Sequence, residues 1–374
     1  MILRPYGVVV KGRLEVGLEV VVDDGQITEL RPHTGIPERY VLSPGFVNAH
    51  SHLEYRGLQD AIDDRAYWPW IRSLTQLKSA QDLQGVRSDT HRAARENVAT
   101  GVRFIEEHSD RPFAGEALTG VGLGGVIYQE LITFLERDDP APKRAKVEEA
   151  AAANRSVFSP VHVSPHSPYT VDEDTLRSFA EGGPFSIHVA ETPFENEFFR
   201  EGKGPIADLY NQAGYPTRST GESVLRLLAR LGLVRPGAQF VHVCDIVDEE
   251  IALLAEGRVR VAHCPRSNVR LGCPPCPVRR MLEAGIDVGI GLDSPASSGP
   301  VDFFAELRGA LAVSLDRREP LSAETVWRMA TGHLEDSTNF ADWIGLAIEG
   351  AHSTDGLIER AEPSLVFSTS LLAS

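Results

Sequence analysis

The sequence predicts an α/β fold, a (β/α)₈ barrel carrying a small β-sandwich domain made from both chain ends. Three observations predict it. Apolar β-rich runs alternate with helical patterns through the middle of the chain. Eight such runs can be counted, and both ends of the chain read as short strands. The expected division is a β domain from residues 1–45 plus 350–374, and a barrel from residues 46–349.

Each element follows from local pattern. Residues 8–10, 18–22 and 26–30 are apolar segments separated by Gly12, Gly17 and the Asp24-Gly25 pair. That pair suits the positive φ of a tight hairpin turn. Residues 364–368 have the same character at the other end. The candidate barrel strands are 41–52, 101–106, 121–128, 160–166, 185–189, 239–244, 258–263 and 286–292. Helical patterns fall at 143–154, 172–180, 222–231, 248–256 and 301–315. Eight strands with intervening helices favour a closed barrel over an open doubly wound sheet, and 374 residues accommodate a barrel with an appendage. No internal repeat suggests a solenoid.

Bulk chemistry narrows the function. With 42% hydrophobic and 24% charged residues, the composition is that of an ordinary globular enzyme. A formal net charge of −16 argues against nucleic-acid partners and against anionic membranes, because both need clustered Lys and Arg. The start, Met1-Ile2-Leu3-Arg4-Pro5, has no basic segment followed by an apolar run, and four cysteines are too few for a disulfide framework. The expectation is a cytoplasmic protein acting on a small molecule, with a homodimer as the commonest assembly.

The histidines carry the chemistry. His50 and His52 stand two apart on the first strand, so both imidazoles face one side. His188, His242 and His263 lie at the ends of the fifth, sixth and seventh strands, and Asp293 closes the eighth. Strand C-termini form the face where barrel enzymes place reacting groups. Nitrogen and carboxylate donors with an open position describe a hydrolytic Zn²⁺ or Fe²⁺ site. Glu191, three residues after His188, is placed for proton transfer.

Taken in order, these motifs resemble the amidohydrolase superfamily in its deaminase and chlorohydrolase branch. The resemblance rests on Pro44-Gly45-Phe46-Val47-Asn48-Ala49-His50-Ser51-His52, Pro165-His166-Ser167-Pro168-Tyr169-Thr170, His188-Val189-Ala190-Glu191, His263-Cys264-Pro265-Arg266-Ser267-Asn268 and Asp293. It implies one divalent metal, Zn²⁺ or alternatively Fe²⁺, held by His50, His52, His188 and Asp293. It implies that Glu191 shuttles protons, His242 orients the attacking water, and Asp293 accepts its proton. His166, and with it Glu54, is expected at the substrate. The implied activity is hydrolytic deamination of an aminated heterocycle. Two-metal branches need a lysine at the end of the fourth strand, and residues 160–166 contain none. Glu54 and Gly202-Lys203-Gly204-Pro205 further resemble the aminodeoxyfutalosine deaminases of menaquinone biosynthesis. The chain departs from the family in lacking Thr-Thr and Asp near Val102–Glu107, and Ala-Asp-Leu near its end.

Other readings compete. The same metal site supports chloride displacement from a heteroaromatic ring, and a barrel of this type can bind a metabolite without turning it over. A different deaminase class holds zinc with H-x-E and a later C-x-x-C. His52-Leu53-Glu54 and Cys273-Pro274-Pro275-Cys276 contain both pieces, but most of the barrel separates them. Trp68-Pro69-Trp70, after the first strand, is expected to pack a lid helix against the barrel, with stacking on a substrate as the alternative. His263 is expected to support the pocket without binding metal, and Arg56 and Arg270 are candidate partners for a substrate carboxylate. His33, His91, His108, His333 and His352 are expected in surface or core roles, and the acidic runs 60–64 and Glu106-Glu107 on solvated faces.

Overall fold

A computed structural model describes residues 1–136, 138–217 and 219–372. Its first six strands form the small domain: β1 (Ile2–Leu3), β2 (Pro5–Val10), β3 (Arg13–Val16), β4 (Leu18–Asp23), β5 (Gln26–Pro32) and β6 (Glu38–Pro44). Eight further strands build the barrel: β7 (Phe46–Ser51), β8 (Val102–Ser109), β9 (Gly124–Leu131), β10 (Val161–Pro165), β11 (Phe185–Val189), β12 (Ala238–His242), β13 (Arg260–His263) and β14 (Val288–Ile290). The chain returns to the small domain through β15 (Trp343–Leu346) and β16 (Val366–Ser368).

One sheet of the small domain runs β16-β15-β6-β2-β3, the other β1-β4-β5. Between them lies an apolar cluster of Leu3, Val8, Val20, Val22, Leu42 and Trp343. The expected strand over residues 41–52 is two strands, because Pro44-Gly45 turns the chain from one domain into the other. A Cβ on Gly45 would lie 2.3 Å from Arg103 Cγ and 2.7 Å from the Asp342 carbonyl, so only glycine allows that close passage. β15 pairs with β6 although it lies inside the range expected for the barrel.

The barrel strands form two four-stranded parallel sheets, β7-β8-β9-β10 and β11-β12-β13-β14. Backbone ladders stop at the two seams, where single hydrogen bonds and side chains stitch the edges. At one seam, Ser186 N donates to Ser164 Oγ at 2.7 Å and His188 N to the His166 carbonyl at 2.9 Å. At the other, Leu292 N donates to Asn48 Oδ1 at 2.9 Å and Asp293 N to the His50 carbonyl at 2.9 Å. A Cβ on Gly291 would sit 2.8 Å from His50 Cβ, so this glycine lets β7 and β14 approach closely enough to bring His50 and Asp293 together.

Helices cover the outside, several begun by side-chain caps. Asp82 accepts from Gly85 N ahead of Leu83–Ala99, and Asp302 from Ala305 N ahead of Phe303–Asp316. Tyr67–Ala80 is a helix, as expected, and it buries Trp68 and Trp70 against the barrel mouth. The solvated face expected for Glu106-Glu107 is wrong. Strand β8 runs three residues beyond its expected end and takes both inside. Glu106 meets Arg260 at 2.9 Å, and Glu107 accepts from Leu53 N at 2.9 Å. No helix among the described residues is long and apolar enough to cross a membrane.

Candidate active site and metal centre

Five of the sequence-predicted site residues converge at the C-terminal ends of the barrel strands. His52 Nε2 and His188 Nε2 lie 3.4 Å apart. His50 Nε2 and His52 Nε2 lie 3.6 and 3.9 Å from Asp293 Oδ1. Ligands about 2.05 Å from a tetrahedral ion stand about 3.3 Å from each other, so the spacing fits one cation. His50 Nε2 is buried without any hydrogen-bond partner, as expected for a donor meant for a metal. Donor atoms of His50, His188 and His242 also lie within 4.8 Å of one another. Burial lowers the pKa of His50 and His52 well below the usual imidazole range and those of His188 and His242 to about 4, which keeps lone pairs free at neutral pH.

Asp293 is the ionised member. Burial raises its pKa, but His242 and His52 outweigh that and hold it below the usual carboxylate range. Its Oδ2 accepts from Ser267 Oγ at 2.5 Å. Glu191 is the opposite case. Burial, with Asp293 nearby, pushes it up to about 8, so it carries a proton at neutral pH. Its Oε2 accepts from Tyr67 at 2.8 Å, and its Oε1 stands 3.7 Å from His242 Nε2. Asn268 Nδ2 lies 3.0 Å from His242 Nδ1, placing the His242 proton on the Nε2 that faces Glu191.

Backbone strain accompanies this geometry. Ala190, His242, Val243 and Asp293 all have positive φ between 48° and 74°. The bend at Ala190 turns two successive amides, Ala190 N and Glu191 N, onto the Glu195 carboxylate at 3.0 and 2.8 Å. Glu195 therefore anchors the turn that carries Glu191, and nothing in its sequence context marked it.

A cavity of about 800 Å³ opens over these groups, lined by His52, His166, His188, Glu191, His242 and Asp293 and by Tyr67, Trp68, Trp70 and Tyr169. The His166 ring lies tilted by 33° against that of His188, with centres 4.8 Å apart, and Thr170 holds its Nδ1 at 2.9 Å. Glu54 lies behind the wall, its Oε1 accepting from Asp110 N at 2.9 Å, while its neighbour Tyr55 faces the cavity. His263 is buried away from the cavity. Arg56 is bound in a bidentate pair to Glu96, and Arg270 also lies outside the lining. The basic groups that do line it are Arg72, Lys78, Arg111 and Lys143. Among the described residues, no candidate metal group includes a cysteine, although Cys273 Sγ lies 3.9 Å from Glu191 Oε1. Two buried groups escaped the sequence reading: His108, 3.0 Å from His50, and Glu130, 3.6 Å from His188 Nδ1. The broken family pattern on β8 was the only signal at His108.

Parallel barrel strands ending in a nest of imidazoles, one ionised carboxylate and one protonated carboxyl define a metal-dependent hydrolase. The amidohydrolase family model matches residues 41–350, and the chain belongs to that family. It is similar to a 5'-deoxyadenosine deaminase of Methanothrix thermoacetophila, 27% identical over all of this chain and 89% of that protein. The fold is shared with an adenosine deaminase from Xanthomonas campestris with bound zinc (TM-score 0.79, 22% identity, 98% of this chain and 90% of the other). It is also shared with a Helicobacter pylori aminofutalosine deaminase in complex with methylthio-coformycin (TM-score 0.79, 17% identity, 98% and 99%).

Proposed function

We propose that this protein is a metal-dependent hydrolytic deaminase of an adenosine-type nucleoside, replacing the ring amino group by oxygen and releasing ammonia. One observation carries the reading: a carboxyl held protonated at neutral pH stands beside a cluster of neutral imidazoles and an ionised Asp, all facing one cavity. The relatives' printed activities, deamination of 5'-deoxyadenosine, adenosine and aminofutalosine, support it.

His50, His52, His188 and Asp293 are the residues we assign to the ion, and three nitrogens with one carboxylate favour zinc. Bound there, zinc would supply a water made acidic enough to ionise near neutral pH. The protein's own groups do the rest. Glu191 gives its proton to the ring nitrogen beside the amino-bearing carbon. His242, fixed by Asn268, orients the attacking water through Nε2–H, and Asp293 accepts a water proton. The C–O bond forms, that proton passes to the exocyclic nitrogen, the C–N bond breaks with ammonia leaving, and the proton left on the new oxygen returns to Glu191 to give the oxo product. His166 is assigned to the bound heterocycle. Arg72, Arg111 and Lys143, which have no ion-pair partner among the described residues, suit a substrate with an anionic extension, as aminodeoxyfutalosine has. The chain ends, with β15, form the accessory β domain, and four free cysteines favour a reducing, cytoplasmic setting.

The test is ammonia release by zinc-analysed protein from adenosine, 5'-deoxyadenosine, 5'-methylthioadenosine, S-adenosylhomocysteine and aminodeoxyfutalosine. Turnover of one of them, lost in Glu191→Gln with the metal retained, is the expected result. A zinc-loaded protein that binds these compounds and releases no ammonia would be a binding barrel, and the proposal would fall.

A further inference from the structure

The imidazoles around Asp293 are not oriented by the same kind of partner. His52 Nδ1 lies 3.1 Å from the backbone carbonyl of His108, and His188 Nδ1 lies 2.9 Å from that of His166. A carbonyl can only accept. Both rings therefore carry their proton on Nδ1 and leave Nε2 bare, the two Nε2 atoms 3.4 Å apart and that of His52 3.9 Å from Asp293 Oδ1. His50 has no such carbonyl. Its Nδ1 lies 3.0 Å from Nδ1 of His108, a contact in which either nitrogen can be the donor. In only one of the two arrangements does His50 present a bare Nε2, the atom that is buried, unpartnered and 3.6 Å from Asp293 Oδ1.

We propose that His108 is the positioning residue of the metal centre, its ring accepting from His50 Nδ1–H while its backbone carbonyl accepts from His52 Nδ1–H. One residue on β8 thus fixes the tautomer of both halves of the His50-Ser51-His52 motif. The ring of His108 is fully buried, and its own proton then sits on Nε2, which has no hydrogen-bond partner. An apolar side chain would fill that space without burying an unpaired donor, so packing alone does not account for it. A carboxylate would accept equally well, but it would place a second negative charge beside the Asp293 carboxylate. A neutral imidazole sets the tautomer without that charge.

The inference rests on the metal reading of the site, and its test is binding rather than turnover. Zinc affinity is measured by competition with a chromophoric chelator for wild type, His108→Phe and His108→Gln, with thermal unfolding of each apo-protein. Second-sphere partners of ligating histidines are typically worth 10–100-fold in affinity. Phe, which cannot accept, is expected to weaken zinc by about that factor, whereas Gln, whose Oε1 can accept, restores most of it. Wild-type affinity in His108→Phe, or equal loss in both variants, overturns the role of His108. Should the variants not fold, ring-nitrogen NMR of zinc-loaded wild type decides: an Nε2–H tautomer at His108 is expected, and Nδ1–H overturns the proposal. A wild type that binds no zinc overturns the metal reading itself.

Discussion

In the β sandwich, the non-glycine residues with positive φ are Lys11 and Asp24, both exposed at hairpin turns and each followed by a glycine. At the barrel rim they are Ala190, His242, Val243 and Asp293, all buried. The first pair obeys ordinary turn chemistry, in which solvent accepts whatever the turn leaves unpaired. The second group is held in sparsely populated backbone by its surroundings, at a cost of order 1–3 kcal/mol per residue. β-branched Val243 at φ 48° is the extreme case. The polar content differs in parallel. Aliphatic and aromatic side chains fill the space between the two sheets, whereas the rim buries imidazoles and carboxyls with nitrogens and oxygens left unpaired. Strain and unpaired polarity are concentrated where side chains from five different strands must point at one place.

The largest effect that can sharpen this contrast is at Glu191. Glu191→Gln should lower kcat by about 100- to 10,000-fold, the usual worth of a positioned acid, with zinc content unchanged. The sign of the pH dependence follows from its raised value of about 8. The working form is protonated, so activity is present below pH 8 and is lost as the pH rises through it. In the glutamine variant that alkaline limb should vanish from the residual rate. A wild-type profile that climbs through pH 8 would show that the carboxyl does not act as the acid.

The complementary test lies in the sandwich. Leu42 is fully buried between the sheets, and Leu42→Ala should destabilise the fold by about 2–5 kcal/mol. Its urea midpoint should fall while kcat per folded molecule and zinc affinity stay at wild-type levels. A fall in kcat at constant folded fraction would mean that the small domain shapes the site and that the two regions are not independent.

How much of this was legible in the sequence follows the same divide. The hairpin at Asp24-Gly25 and strand β11 were readable because turn residues and apolar runs obey local rules. So were His50, His52, His188, His242 and Asp293, because the period of a strand and the position of its end fix where a side chain points. What escaped depends on neighbours distant in sequence. Glu106 and Glu107 look like a solvated acidic pair until Arg260 and the Leu53 amide, 154 and 54 residues away along the chain, enclose them. His108 has meaning only beside His50, and Glu195 only because Ala190 bends the wrong way for a strand. The helix over Tyr67–Ala80 was legible at Trp68-Pro69-Trp70, and Pro69 does not break it because it sits in the first turn, where its missing N–H costs nothing.

The smallest effect separates the two kinds of positive φ directly. Glycine adopts such angles freely, but it loses more entropy on folding, by roughly 0.5–1 kcal/mol relative to alanine. At Asp24, exposed and of a residue type that tolerates this region, the terms nearly cancel, and Asp24→Gly should leave stability and activity unchanged. Ala190→Gly relieves about 1–2 kcal/mol of left-handed strain but gives back the glycine entropy and one buried methyl, so its stability should also move little. Its activity should move. Without the Cβ, the turn that aims Ala190 N and Glu191 N at Glu195 is no longer fixed, and an ångström of drift at a reacting group can cost about 100-fold. A kcat in Ala190→Gly that falls by part of that factor at unchanged thermal stability marks the strained turn as a positioning device. Equal kcat in both glycine variants would mean that Glu195 alone holds Glu191, and that the backbone strain at Ala190 is a by-product of closing the strand.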